Sequence, residues 1–154
     1  MSDVSPIPAG YPSICPGLSC AGAAAAIDFY TAIFDATERM RMPGPDGTVM
    51  HSELLVGESV LMVGDPVPEL GFLDPKTVGG TPVNLMVYVR DVDAAFAKAL
   101  AAGAAEITPL ADQFYGDRTG TFEDPWGHRW TVATHVEDVP PEEMERRMAA
   151  VMEG

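Results

Sequence analysis

The sequence predicts an α+β domain in which the order strand-helix-strand-strand-strand occurs twice, with one further helix at the C-terminus. Three observations support this prediction: apolar residues alternate at strand spacing in two separate stretches, a helical stretch lies in each, and a proline- and glycine-rich segment separates them. One copy alone would expose a sheet face. We therefore expect two βαβββ repeats to form an open, eight-stranded, cup-shaped barrel with flanking helices and a concave face that holds a ligand.

The first repeat spans about residues 13–65 and follows an arm, residues 1–12, whose proline, serine and glycine content predicts flexibility. Its helix is predicted where apolar residues recur at helical spacing without proline, and its last two strands form a hairpin across Gly57–Glu58. The predicted elements, in order, are a strand over 13–20, a helix over 22–34, a strand over 36–42, and hairpin strands over 48–56 and 59–65.

The second repeat, residues 82–136, follows a linker over residues 66–81 that is long enough to serve as a lid. Its helix is predicted to begin after the N-cap residue Asp91 and to end at Gly103. The predicted elements are a strand over 82–90, a helix over 92–102, and strands over 105–109, 119–123 and 128–135. Residues 137–154 contain the C-terminal helix, predicted over 140–152 because acidic residues precede basic ones there.

Composition restricts the partners and the compartment. A net charge of −14 argues against binding to nucleic acid or to an anionic membrane, since both carry phosphate. Cys15 and Cys20 are the only cysteines, and their spacing within one predicted strand places them on opposite faces. Two reduced thiols, and the lack of an apolar run of about 18 residues, predict a cytoplasmic protein.

Four segments, in this order, resemble the vicinal oxygen chelate superfamily of glyoxalases, bleomycin resistance proteins and dioxygenases. They are residues 25–36 (AAIDFYTAIFDA), 89–96 (VRDVDAAF), 117–123 (DRTGTFE) and 124–130 (DPWGHRW). They are most similar to the PhnB-like, or demethylubiquinone-methyltransferase-like, branch, and the resemblance covers about residues 11–136. It implies paired βαβββ units in a single domain, association as a homodimer, and four metal-ligand positions on the concave face.

The residues at those four positions do not suit a divalent metal. The resemblance places the first position at Cys15 or Gly17, the second at Met62, the third at Asn84 and the fourth at Thr131. Glycine, methionine, asparagine and threonine are poor ligands for a hard cation, and one thiolate does not complete a recognised soft-metal set. We therefore expect pocket-lining positions and no cofactor.

A rearranged site is the alternative. His51 and Glu53 share a strand face, and the hairpin pairing would set Glu53 opposite Met62. His135 lies on the strand face that carries the fourth position, so these three residues would be the ligands of a divalent metal if one is bound. His51 and Glu53 could also act as a catalytic acid–base pair, or simply form a hydrogen-bonded pair on the strand surface.

A polar and aromatic loop before the last hairpin adds further candidates. Phe114 and Tyr115 could close over a flat ligand, and Arg118 could hold an anion. Alternatively, the aromatic residues fill the end of the barrel and Arg118 pairs with Asp112 or Asp117.

The leading hypothesis is a protein that binds a small organic molecule in its concave cavity without a metal. A metal-dependent lyase, isomerase or dioxygenase and a non-catalytic interaction module are the alternatives. No glycine-rich nucleotide loop is present, which argues against a nucleotide cofactor. The candidate binding residues are Cys15, Met62, Asn84, Tyr88, Phe114, Tyr115, Arg118, Arg129 and Thr131.

Overall fold

The computed structural model describes residues 3–154 and confirms the predicted α+β class with two βαβββ modules. The chain divides into two compact units, the first ending at Gly80 and the second spanning Thr81–Gly154. Each unit contains one four-stranded mixed sheet. Met1 and Ser2, which belong to the predicted arm, lie outside the described residues. Within residues 3–154 no helix has the length and apolar character needed to cross a membrane.

The first unit has the sheet order β1-β4-β3-β2, in which β1 is parallel to β4 and the other neighbours are antiparallel. Its elements are β1 (Gly17–Ser19), α1 (Ala23–Phe34), β2 (Thr37–Pro43), β3 (Val49–Val56), β4 (Ser59–Gly64) and a short helix α2 (Pro75–Val78).

The second unit repeats this arrangement with the order β5-β8-β7-β6, in which only β5 and β8 are parallel. Its elements are β5 (Asn84–Tyr88), α3 (Val92–Ala101), β6 (Ala105–Asp112), β7 (Asp117–Glu123), β8 (Arg129–His135) and the C-terminal helix α4 (Pro141–Glu153). Asp91 is the N-cap of α3, as predicted, and its carboxylate accepts a hydrogen bond of 3.1 Å from the Ala94 amide.

In the first unit α1 packs against one face of the sheet. Ile27 and Tyr30 of α1 and Leu54 of β3 are almost completely buried there. The residue before α1 is Gly22, which offers no side chain to cap the helix. Asp65, directly after β4, supplies the cap instead: one carboxylate oxygen accepts from the Gly22 amide at 2.9 Å and from the Ala23 amide at 3.3 Å.

In the second unit α3 covers one face of the sheet in the same way, and Phe96 lies against Phe122 with ring centroids 6.2 Å apart. Trp130 donates a hydrogen bond of 2.9 Å to the buried Asp124 carboxylate. The same carboxylate accepts from the amide of His128, so Asp124 caps the turn between β7 and β8.

Three strand predictions are wrong in extent, those for β1, β6 and β5, the last of which spans Asn84–Tyr88 rather than residues 82–90. The first strand is only Gly17–Ser19 rather than residues 13–20, so Cys15 and Cys20 both lie outside it. Pro12 and Pro16 lack the amide donor that a longer ladder would need. By contrast, β6 continues through Pro109 to Asp112. It is an edge strand with an irregular register near that proline, which is where a sheet tolerates one.

The linker, residues 66–81, has local structure of its own. Val67 and Phe72 exchange two backbone hydrogen bonds, of 2.8 and 3.1 Å, around a 3-10 turn over Pro68–Leu70. Gly71 closes this turn with φ 81°, a conformation that favours glycine. The residues that follow form α2.

Candidate functional site

The face of the first sheet opposite α1, here called the first open face, carries the predicted residues His51, Glu53 and Met62. The hairpin register sets Glu53 directly opposite Met62, as the sequence predicts. Side chains on this face alternate with Ser52 and Leu54, which are buried on the face toward α1.

Register shifts in the β2–β3 pairing leave one extra residue in each strand, Arg39 in β2 and Met50 in β3. An extra residue of this kind bends its strand and redirects a side chain. The shift at Arg39 allows its guanidinium to reach Glu53 on the first open face. The shift at Met50 places this residue beside His51 at a pocket on the same face.

Glu53 is the centre of a buried ionic cluster. Only 4% of the residue is exposed. Its carboxylate accepts a hydrogen bond of 2.6 Å from Arg39 Nη2, and the Tyr11 hydroxyl lies 2.9 and 2.7 Å from its two oxygens. The Arg39 guanidinium also lies 4.2 Å from the centre of the Tyr11 ring and donates to the Gly10 carbonyl. Tyr11, within the predicted arm, thus has defined partners on the sheet.

The hydrogen bond from Arg39 and then that from Tyr11 lower the pKa of Glu53 below its ordinary value. The His51 imidazole lies 3.5 Å from the carboxylate and contributes less. Glu53 is therefore an ionised carboxylate at neutral pH. It is a poor general acid, and both of its oxygens already have protein partners.

A pocket of about 310 Å³ lies beside this cluster, entirely within the first unit. Its floor is formed by β1 and β4, where Gly17 pairs with Met62 and Ser19 pairs with Gly64. The floor therefore consists of very small residues, with one flexible thioether beside them.

The walls of the pocket are apolar. Met50 from the redirected part of β3 lines one part, and Val67 and Phe72 from the linker turn line another. Phe72 is 59% exposed, so its ring has a large surface available for contact. His51 is the polar residue nearest to the Glu53 cluster that also lines the pocket. The linker thus contributes to the pocket wall, although its role as a lid remains a prediction.

The second open face, opposite α3 on the second sheet, carries the other two predicted ligand positions. The Asn84 amide donates a hydrogen bond of 3.0 Å to the Thr131 hydroxyl, which lies 2.9 Å from the hydroxyl of Thr121. Arg129 lies next to Asn84 in the β5–β8 pairing, and its Nε is 3.8 Å from the Glu123 carboxylate. These side chains form a neutral hydrogen-bonded row with an ion pair at its end.

A second ionic cluster, centred on Asp117, occupies the other end of this face. The buried Asp117 carboxylate accepts a hydrogen bond of 2.7 Å from the Tyr88 hydroxyl and lies 2.7 Å from His135 Nδ1. His135 Nε2 lies 2.7 Å from the exposed Asp138 carboxylate. The hydrogen bonds to Asp117 and then to Asp138 raise the pKa of His135. Both ring nitrogens of His135 thus have carboxylate partners.

The loop candidates are also engaged with protein groups. Arg118 forms ion pairs with Asp93 at 2.9 Å and with Asp112 at 3.2 Å, the second being an alternative considered from the sequence. The rings of Phe114 and Tyr115 contact each other edge to face, with centroids 5.3 Å apart. Arg118 therefore has two carboxylates as neighbours and little unmatched charge for an anion.

The donor groups do not fit a divalent metal. Among residues 3–154 no group of three or more histidine, cysteine, aspartate or glutamate side chains is arranged to hold one. Met62, Asn84 and Thr131 offer a thioether, an amide and a hydroxyl. The rearranged set is no better, because the oxygens of Glu53 and both nitrogens of His135 are bound to protein groups.

Sequence reasoning did not name several residues of the first open face as candidates, among them Tyr11, Arg39 and Phe72. Strict alternation along β2 gives no indication that Arg39 reaches Glu53, because the register shift is visible only in the folded sheet. Phe72 offers a weak signal, an aromatic residue in a linker rich in proline and glycine.

Comparisons with known proteins agree with the fold and with the sequence motifs. Residues 16–132 match the Glyoxalase/Bleomycin resistance protein/Dioxygenase superfamily. The uncharacterized proteins Rv0887c of Mycobacterium tuberculosis and Mb0911c of Mycobacterium bovis are each 42% identical over 146 residues, which is 93% of this chain and 86% and 96% of theirs.

Two solved structures have similar folds. TioX from Micromonospora sp. ML1 has a TM-score of 0.61 at 26% identity, covering 84% of this chain and 100% of TioX. The PhnB protein from Bacillus cereus, described as a putative 3-demethylubiquinone-9 3-methyltransferase, has a TM-score of 0.62 at 23% identity, covering 80% of this chain and 99% of that protein. The second likeness concerns the fold alone.

Proposed function

This chain belongs to the Glyoxalase/Bleomycin resistance protein/Dioxygenase superfamily, and we propose that it binds a small organic molecule in the pocket of its first unit without a metal. One observation carries the proposal. Met62, the second metal-ligand position that the resemblance implies, and Gly17, one of the two residues considered for the first, line a pocket of about 310 Å³ together with Met50 and Phe72. A volume of this size suits a small organic ligand, and apolar walls with few polar groups are typical of such pockets.

The chemistry around the pocket favours binding over catalysis. A general acid or base needs a pKa near the working pH, whereas hydrogen bonds from Arg39 and Tyr11 lower the pKa of Glu53. A metal-dependent lyase, isomerase or dioxygenase would need at least three good ligands, and the available donors are already bound to protein groups. Burial of apolar surface would then supply most of the affinity.

A screen of small organic molecules by two-dimensional ¹H–¹⁵N NMR tests this proposal. We expect ligands to shift the amide signals of β1, β4 and the 67–72 turn. A Met62→Trp variant fills the pocket and should weaken binding by at least tenfold. A Met148→Trp variant is the matched control, because Met148 lies on α4 in the second unit and is half exposed.

Two results would overturn the proposal. One is a set of ligands whose affinities do not change in Met62→Trp. The other is close to one equivalent of a transition metal per chain, found by elemental analysis of protein purified without chelator, whose removal abolishes binding. We also propose that the protein forms a homodimer, as the family resemblance implies. Sedimentation equilibrium measures this oligomeric state.

A further inference from the structure

We infer that the pocket selects a planar aromatic molecule that is uncharged or cationic, and that Gly17 is the residue that determines this selectivity. The inference rests on the proposed function, because it names the ligand class of the same pocket. Four features support it: the absence of a side chain at Gly17, the small residues at most of the floor, the sulfur and aromatic groups of the walls, and the charge around the pocket.

Neither the backbone nor the neighbouring atoms require glycine at position 17. It lies in β1 outside the left-handed region of φ, and a Cβ built on it would meet no atom within 4 Å. Glycine within a strand normally weakens it, because the chain loses more conformational freedom on folding. The fold does not need glycine at position 17, yet this residue lies at the floor of a pocket. A ligand that occupies the space of the missing side chain would explain it.

Gly64, on the neighbouring strand, shows the opposite behaviour. A Cβ there would lie 2.9 Å from the Met50 carbonyl oxygen, so close packing of the backbone accounts for this glycine. With Gly17 and Ser19 it leaves three of the four floor positions without a side chain larger than a hydroxymethyl group, and the flexible Met62 side chain occupies the fourth. A floor with so few side chains favours a flat ligand, because a planar molecule can contact such a surface over most of its area.

The walls supply groups that prefer aromatic partners. Met50, from the redirected segment of β3, and Met62, from β4, both line the pocket. Thioether sulfurs make favourable contacts with aromatic rings, and their flexible side chains adapt to ligand shape. Phe72 offers an exposed ring from the linker turn, and two aromatic rings gain energy beyond their buried area when they stack or meet edge to face.

The charges argue against an anionic ligand. The chain carries a net charge of −14, and no lysine or arginine lines the pocket. Arg39, the basic residue of the adjacent cluster, is already paired with Glu53. Asp65 lines the pocket, and its carboxylate accepts from the amides of Gly22 and Val49. A carboxylate or phosphate on the ligand would have no cation to offset its desolvation.

Isothermal titration with three matched probes tests the inference: 2-naphthol, its saturated counterpart decahydro-2-naphthol, and 2-naphthoate. We expect 2-naphthol to bind at least tenfold more tightly than either of the others. Gly17→Ala should weaken 2-naphthol binding by at least tenfold without lowering the melting temperature. Ser59→Thr also adds one methyl group to a strand residue of the first unit, outside the pocket, and should leave binding unchanged.

The outcomes separate this inference from the proposed function. If decahydro-2-naphthol or 2-naphthoate binds as tightly as 2-naphthol, and Met62→Trp weakens that binding, the pocket binds ligands but the aromatic selectivity is wrong. If Gly17→Ala binds 2-naphthol as wild type does, the role of Gly17 is wrong. If no probe and no member of the wider screen binds, both proposals fail.

Discussion

The two glycines of the pocket floor should respond in opposite ways to the same substitution. In Gly64→Ala the new methyl group would lie 2.9 Å from the Met50 carbonyl oxygen and 3.5 Å from that of Val49. These are backbone atoms, so the redirected segment of β3 must move. Overpacking of this kind costs about 1–3 kcal/mol, and we expect a loss of about 2 kcal/mol in the free energy of unfolding. In Gly17→Ala nothing moves, and the restricted unfolded chain should add about 0.5 kcal/mol of stability.

Urea unfolding followed by circular dichroism at neutral pH, without ligand, measures this difference of about 2.5 kcal/mol between the variants. For a chain of this length Gly64→Ala should also lower the melting temperature by about 4–8 °C. The comparison requires that the free energy of unfolding depend on urea concentration with the same slope in wild type, Gly64→Ala and Gly17→Ala. A changed slope would indicate a changed unfolded state.

A destabilised Gly17→Ala protein would refute the reasoning. If it loses about 1 kcal/mol or more, the fold itself needs glycine at that position, and the argument that a ligand explains this residue fails. If Gly64→Ala is as stable as wild type, the close approach to the Met50 carbonyl does not restrict that strand.

Three further predictions concern charge and metal. Because Arg39 and its neighbours lower the pKa of Glu53, its ionised form stabilises the fold above a pH of about 4.3. Glu53→Gln should therefore melt below wild type at pH 7, by a margin that narrows as the pH falls below about 4.3. Asp117 and Asp138 raise the pKa of His135, so the protonated imidazole and these carboxylates stabilise the fold below a pH of about 6.5. This stabilisation is lost as the pH rises through the raised pKa of His135. His135→Gln should remove this alkaline loss in melting scans over that range. Dialysis against a chelator should leave the melting temperature of wild type unchanged, and a drop would indicate a structural metal.

The main elements of the fold could be predicted because local patterns and tertiary packing agree. The helix α1 and the hairpin of β3 and β4 match their predicted bounds to within a residue, since apolar periodicity and turn residues indicate the same elements. Two of the errors in strand extent occur at prolines. Pro16 limits β1, whereas Pro109 is tolerated in an edge strand, and edge or centre position cannot be determined from one sequence.

The site could be predicted only where it follows strand alternation. That rule correctly pairs Glu53 with Met62. It cannot place Arg39 or Met50, because each is an extra residue in a strand, and one such residue reverses the face of a side chain. It also cannot indicate that Tyr11 reaches Glu53, since that contact joins residues 42 positions apart.

The redirected Arg39 explains how the Glu53 carboxylate can be buried next to the pocket without a metal ion. Glu53 lies opposite Met62, a position where the resemblance would place a metal ligand, and an isolated buried carboxylate is strongly unfavourable. A divalent cation would balance that charge in a metal site. Here the extra residue in β2 brings a guanidinium to 2.6 Å from Glu53, and Tyr11 adds a hydroxyl donor. Charge balance at Glu53 is thus achieved within the protein, as the proposed binding without a metal requires.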